Sequence, residues 1–523
     1  MRAVLRRVLG RWGTAPAAAL VLAVALAAVI RLWVLHSPVG RMESDEAVTG
    51  VMAQRILDGE LFAFFAGQTY MGSLEQYAQA AVLAVTPDTP TTLRMVQLAL
   101  SVATCLLVGV TARRLTNSPW FGVAAAALFA VGPWFNVEKG IRSHGAYDTA
   151  QLLSVLGLLL VVNLSPRTRL APWRAAAVGF VAGLALWEST LAIIALLPVV
   201  WWAIGVARHR LPHLLPPALI GAVLGAAPFI VHRIIHGPFP PSGSGEPPAT
   251  TFADRTDLML SPVLGMFLGV RHIGDGRPVS QFLPPAIATM IALGALGAGV
   301  WSRRRGIRDL VLLRAPGVHG VDPILVVLSL MVIPYGLTGF TWFAGTPRYL
   351  FALYPFAILA VIVAASHLGP RARLAVPVVL ILGTAVLSAS AANRALDEGG
   401  RGGWVGSSRV YTEDIPAFVH RLERDGITGV HADYWLAYPI QYASEGALAV
   451  EPYGNSRFPN LDARVESTTP GAVAYAIPVG PEEVAIRDRL RAAGATARVI
   501  RVGRLVAFTD VDPATAVAAI TTP

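Results

Sequence analysis

The stretch TAPAAALVLAVALAAVIRLWVL, residues 14–35, decides the class of this chain. Its apolar core, 16–35, has the roughly 20 residues that a helix rising 1.5 Å per residue needs to cross about 30 Å of hydrocarbon. That is longer than the roughly 7–15 apolar residues of a cleaved leader. No small-residue cleavage site follows, so the sequence predicts a retained first span. Composition agrees. Of 523 residues, 54% are hydrophobic and 14% charged, against about 25% charged in soluble domains, and mean hydropathy is +0.57. This is the composition of an integral membrane protein. The sole cysteine, Cys105, lies in an apolar run, which excludes an intrachain disulfide framework and a cysteine-based metal site.

Further spans are expected near 91–111, 119–135, 147–164, 175–187, 189–206, 214–235, 282–301, 323–341, 348–366 and 374–392. The net charge of +10 is almost entirely arginine, with Lys139 the sole lysine. The arginines fall in short clusters between apolar segments, which favours control of topology over binding of nucleic acid. Arg2, Arg6, Arg7 and Arg11 precede the first span. Arg113 and Arg114, then Arg167, Arg169 and Arg174, then Arg208 and Arg210, follow successive even-numbered spans. Arg303, Arg304, Arg305 and Arg308, and finally Arg371 and Arg373, continue the series. Basic clusters mark the cytoplasmic side, so about 11 transmembrane helices with a cytoplasmic N-terminus are self-consistent. Residues 1–392 are then a membrane domain, with outer loops at 36–90 and 236–281. The second loop begins Pro/Gly/Ser-rich, GPFPPSGSGEPPATT, and contains LMLSPVLGMFLGV, 258–270, too short for a span and expected to be re-entrant or interfacial.

Residues 393–523 change character and are expected to form a small extracytoplasmic α/β domain. GVHADYW, GALAVEPY, GAVAYAIPV and ARVIRVGRLVAFTDV read as strands; PAFVHRLERDG and PEEVAIRDRLRAAG read as helices. There is no GxGxxG or Walker loop.

The chemistry gathers on the outer side. Loop 36–90 carries Glu43, Asp45, Glu46, Asp58, Glu60, Glu75 and Asp88 against Arg41 and Arg55. Within it, AVTGVMAQRILDGELF has apolar residues at helical spacing and is expected to lie along the membrane surface, with Asp45 and Glu46 at its N-terminus. Such acids suit helix capping, with Ser44 or Asp45 as the cap, as well as catalysis. The short connection NVEKGIRSHGAYDT, 136–149, packs Glu138, Lys139, Arg142, His144 and Asp148 together. In TWFAGTPRYLFALYP, Arg348 opens a span on the side where arginine is disfavoured. Arg142 and Arg348 suit either a lipid-linked phosphate, gripped by the guanidinium fork, or snorkelling to headgroups. His144 suits a ligand, a proton carrier or a structural hydrogen-bonder; Glu75 is a candidate to join it at a metal. Glu188, at the tip of a short hairpin, reads best as an interfacial turn residue.

These pieces, in this order, resemble the GT-C superfamily of integral membrane glycosyltransferases, in the branch containing protein O-mannosyltransferases and aminoarabinose transferases. The resemblance rests on Asp45-Glu46 after span one, TYMGSLE ending in Glu75, IRSHGAYDT, and PRYLFALYP, and it covers roughly residues 10–390. It implies a polytopic α-helical fold and an inverting transfer of sugar from a polyprenyl-phosphate donor to a glycan, lipid or protein acceptor. By the same resemblance Asp45 is the catalytic base, with Glu46 beside it. Arg142, His144 and Arg348 are expected on the donor phosphate; Glu75, Tyr70 and Tyr349 are expected to position substrate. A divalent metal is left open, and no organic cofactor is expected. The EKPP pattern common after the first-loop tyrosine is absent, so the sugar stays unnamed. Two alternatives remain at this stage: a flippase of lipid-linked glycan, against which the sequence shows no internal repeat, and a non-catalytic envelope protein.

Overall fold

The computed structural model describes residues 12–162, 171–237, 251–314, 317–337, 345–400 and 413–521. Arg2, Arg6, Arg7, Arg11, Arg167 and Arg169, and most of the Pro/Gly/Ser-rich stretch, lie outside them. Helix α1 (Thr14–Leu35) buries Leu20, Ala23, Ala27, Val34 and Leu35, yet exposes Val21, Leu22, Val29 and Trp33. A helix apolar on its outward face as well as its inward one is built for lipid. Each of the other expected spans also falls on helix. These are α4 (Met95–Thr116), α5 (Pro119–Val131), α6 (Tyr147–Val161), α7 (Pro172–Glu188), α8 (Thr190–Ala207), α9 (Leu211–Gly225) continued by α10 (Ala227–His236), α11 (Pro285–Ser302), α12 (Val321–Leu337), α13 (Tyr354–Ser366) and α14 (Pro370–Gly400). Among the described residues, six helical stretches are long and apolar enough to cross a membrane: Thr14–Leu35, Pro90–Thr116, Leu191–Gly225, Pro285–Ser302, Arg348–Ser366 and Pro370–Asp397. The chain is a polytopic, multi-pass membrane protein.

Helices α7 and α9 pack through glycine. Gly179 and Gly183 press on the backbone of Ala218 and Ala222, and Gly221 and Gly225 of α9 press back on Ala176 and Phe180, with no room for a Cβ at any of the four. This is the small-xxx-small packing by which membrane helices approach one another closely. LMLSPVLGMFLGV forms short consecutive helical turns whose Met259, Val263, Leu264 and Phe267 are buried; Phe267 stacks on Tyr354 at 4.4 Å.

Between α1 and α4 lie α2 (Ser44–Leu57), a hairpin of β1 (Phe64–Phe65) and β2 (Gln68–Gly72), and α3 (Leu74–Leu83). Helix α2 falls where a helix is expected. Nearly every residue from Ser44 to Ala53 is buried, because helix α16 (Tyr434–Ala443) lies over its outward face, with the Tyr442 ring against Gly50.

The C-terminal region, with α15 (Ile415–Arg424) leading in, is a five-stranded mixed sheet of β3 (Gly429–Ala432), β4 (Ala449–Pro452), β5 (Val473–Pro478), β6 (Arg498–Val502) and β7 (Leu505–Thr509). Its order is β4-β3-β5-β7-β6; β3 is parallel to β4 and β5, and β7 is antiparallel to β5 and β6. Helix α17 (Pro459–Glu466) leads from β4 to β5, and α18 (Pro481–Ala492) follows β5. ARVIRVGRLVAFTDV is two strands turned at Gly503, whose φ of +55° suits glycine. HADYW is not all strand: β3 ends at Ala432, and Asp433 accepts the Trp435 N–H at 2.9 Å as the cap of α16.

Candidate active site

The cap of α2 is Glu43, one residue before the expected position. Its own N–H donates to the Glu46 carboxylate at 3.2 Å. Glu46 is fully buried and receives Arg94 through Nε at 2.7 Å and Nη2 at 2.6 Å, Arg142 Nη1 at 2.9 Å and the Ser143 N–H at 3.2 Å. Burial works to raise its pKa, but the two guanidinium charges outweigh burial and hold it at about 2. Arg142 also donates to the carbonyls of Arg41, at 2.7 Å, and Val39, at 2.6 Å, and it pairs with Glu138 at 3.5 Å. The structure therefore joins Glu46 and Arg142 to each other rather than presenting either alone. Arg94 was hidden in the sequence because a hydropathy window absorbs one arginine in an apolar run. The signal it shares with Arg348, an arginine opening a span on the outer side, was available.

With capping carried by Glu43 and Glu46, the carboxylate of Asp45 is turned the other way. It is half-buried, and its Oδ1 accepts the Tyr434 hydroxyl at 2.5 Å. Three cations stand within electrostatic reach of it: Lys139, Arg348 and Arg457. Lys139 is buried, and burial first, then the Arg348 charge, push its ammonium down to about 7. Arg348 Nε donates to Thr346 at 3.3 Å, and the side chain also bonds Tyr147. Arg457 approaches the Tyr434 hydroxyl at 3.4 and 3.5 Å. With the Gln68 amide oxygen toward it, Arg457 also donates to Gln68 at 2.9 and 3.1 Å, while the Gln68 nitrogen donates to Tyr70 at 3.2 Å. Tyr70 is half-exposed, and Tyr349 sits in the turn Arg348–Leu353 that opens α13.

His144 bridges Glu43 and Lys139 through its two ring nitrogens. Burial opposes ionisation of Glu43, yet His144, Arg142 and Lys139 hold its pKa well below the usual carboxylate range. Glu75 answers to other partners, accepting from Gln97 at 3.1 Å and from the N–H of Thr149 at 3.1 Å. The candidate metal partners Glu75 and His144 thus each bond other groups, and among the described residues no group of three or more His, Cys, Asp or Glu is placed to hold a metal ion. Glu188 is not an interfacial turn residue. It is fully buried and accepts the Leu74 N–H at 3.1 Å, because Ser189 bridges to Met71 and Trp187 donates to the Ala63 carbonyl at 2.5 Å, drawing the helix tip under the hairpin.

No family model matches the chain, and no curated protein does. Solved structures do. ArnT from Cupriavidus metallidurans bound to undecaprenyl phosphate superposes with a TM-score of 0.61 at 13% identity, covering 94% of this chain and 98% of that one. The arabinofuranosyltransferase AftD from Mycobacteria superposes with a TM-score of 0.51 at 14% identity, over 94% of this chain and 39% of that longer one. At such identity the likeness carries architecture, and in architecture the chain shares the fold of the GT-C glycosyltransferases.

Proposed function

We propose that this protein is an inverting glycosyltransferase that moves a sugar from a polyprenyl-phosphate donor to a hydroxyl or amine of an extracytoplasmic acceptor. The observation that carries the reading is one half-buried carboxylate, Asp45, surrounded by Lys139, Arg348 and Arg457. In the reaction an acceptor oxygen attacks the anomeric carbon from the face opposite the phosphate. Its proton passes to Asp45, the bond from the anomeric carbon to the phosphate oxygen breaks, and the electron pair leaves on the lipid phosphate. A carboxylate needs no unusual basicity for this, since the hydroxyl becomes acidic as the new bond forms. Lys139 and Arg348 serve the departing charge, in a site where fixed cations count for more than in water. The ArnT neighbour, by its name, binds undecaprenyl phosphate, which supports a lipid-phosphate donor.

Glu46 and Arg142 act at one remove, holding the first turn of α2 so that Asp45 faces the cations. His144 orients Lys139. Residues 1–392 serve as the membrane domain and 393–523 as the outer domain. The orientation follows from Arg113 and Arg114 in the last turn of α4, the opposite end from Arg94 and the site. The test supplies purified protein with radiolabelled polyprenyl-phosphate sugars and envelope acceptors, beside Asp45→Asn. Transfer by the wild type and a loss of about 100-fold or more in the variant are expected for removal of a general base. Undiminished transfer by Asp45→Asn would sink the assignment.

A further inference from the structure

Resting on that reading of Asp45, we propose that Tyr434 is a positioning residue for the base, so that the C-terminal domain completes the catalytic centre instead of merely covering it. The chain leaves β3 at its carboxyl end, returns through α16 to β4 on one side, and then crosses through α17 to β5 on the other. The carboxyl end of β3 is therefore a switch point, the place where open α/β sheets bind what they act on. Here it meets α2. Asp433 caps α16 and so fixes Tyr434 as its first helical residue. Tyr434 then grips two consecutive residues of the membrane domain. Its carbonyl oxygen accepts from Ser44 Oγ, and its hydroxyl donates to Asp45 Oδ1 at 2.5 Å.

The phenol is itself held. Arg457 lies over the ring, 5.7 Å from its centroid, and Trp435 and Tyr438 pack edge-on against it, each at 5.3 Å. Burial and the Asp45 charge push the phenol's pKa well above its ordinary value, so it remains a donor. A carboxylate has two oxygens. A fixed donor on Oδ1 stops rotation about the Cβ–Cγ bond and leaves Oδ2 as the oxygen that takes the acceptor's proton. The hydroxyl is not what docks the domain: Gln54 donates to the Tyr442 carbonyl, Tyr442 donates to Asp88, and Arg55 donates to Asn460.

The test uses the full chain in lipid nanodiscs. Tyr434→Phe is expected to lower kcat about 10- to 100-fold, the scale of a misplaced reacting group, with donor KM unchanged. In an Asp45→Asn background it should add no further loss. Tyr475→Phe removes a buried hydroxyl of β5 that has no hydrogen-bond partner among the described residues, and should keep wild-type kcat. A wild-type kcat in Tyr434→Phe, or an equal loss in Tyr475→Phe, overturns the proposal. If the wild type transfers no sugar from any donor, the glycosyltransferase reading fails by itself. The contact is then judged by hydrogen exchange at residues 44–48: faster exchange in Tyr434→Phe sustains it, and unchanged exchange overturns it.

Discussion

At residue scale, the adjacent acids Asp45 and Glu46 have opposite fates. Glu46 is the buried anchor of two arginines, and removing one member of such a group leaves uncompensated charge, at a cost of about 3–5 kcal/mol. Glu46→Gln should therefore lower the denaturation midpoint in detergent; an unchanged midpoint would contradict the buried ion-pair account. The pH dependence has a definite sign. The folded-state value of Glu46, about 2, lies below the ordinary 4.5, so its stabilisation is complete above about 4.5 and is lost as pH falls toward 2. Lys139 behaves differently. Its value falls from 10.5 to about 7, so its charge is disfavoured in the fold below that pH, and stability rises as pH climbs from 7 toward 10.5. A bound phosphate reverses the preference. A sugar phosphodiester keeps one negative charge across this range, so donor affinity should be about tenfold tighter at pH 6 than at pH 8. Lys139→Met should flatten that profile in a donor-binding titration, and a slope that persists would remove Lys139 from the donor site. Little of this division was legible, because nothing in the letters Asp-Glu says which acid faces Arg94, 48 positions downstream of Glu46.

At the scale of elements, the period and length of apolar runs located the helices, but partners were not written locally. Gly179 and Gly183 stand four apart, as do Gly221 and Gly225, and the spacing is visible in the sequence. That the two pairs meet is visible only once α7 and α9 are side by side. Because a Cβ at Gly183 would enter the Ala222 backbone, Gly183→Val should separate the helices. Overpacking typically costs about 1–3 kcal/mol, and more is expected here because backbone must move. Thermal unfolding in detergent measures this, with Gly294→Val, where no atom lies within 4 Å, as the control. Equal effects would show that the α7–α9 contact is not tight. The misread HADYW teaches the complementary lesson. An apolar alternation carries a strand up to a residue that can cap a helix, and Asp433 was that residue.

At the scale of the whole molecule, hydropathy carried the membrane helices, and turn residues carried the sheet. The docking of one on the other was not readable, since Tyr434 and Asp45 lie 389 positions apart. Yet the docking is extensive. Tyr438, Tyr442, Phe458 and Leu461 of the C-terminal region belong to the same buried apolar cluster as Val48, Val51 and Met52 of α2. Around it lie polar links of unequal worth. The Arg41–Glu413 pair, at 3.3 Å, is half-buried at Arg41 and exposed at Glu413 and should contribute no more than about 1 kcal/mol, less in salt. The Tyr442 hydroxyl, on a ring only 6% exposed, donates to a charged acceptor, where a hydrogen bond is worth about 1.5–3 kcal/mol. Tyr442→Phe should therefore loosen the domain more than Arg41→Ala, seen as faster hydrogen exchange across 434–443. Raising salt from 0.1 to 1 M, a range over which the Debye length falls from about 10 to 3 Å, should leave the wild-type exchange nearly unchanged. If salt alone frees the helix, the domain is held by charge rather than by its apolar seam, and the ranking of the two variants should invert.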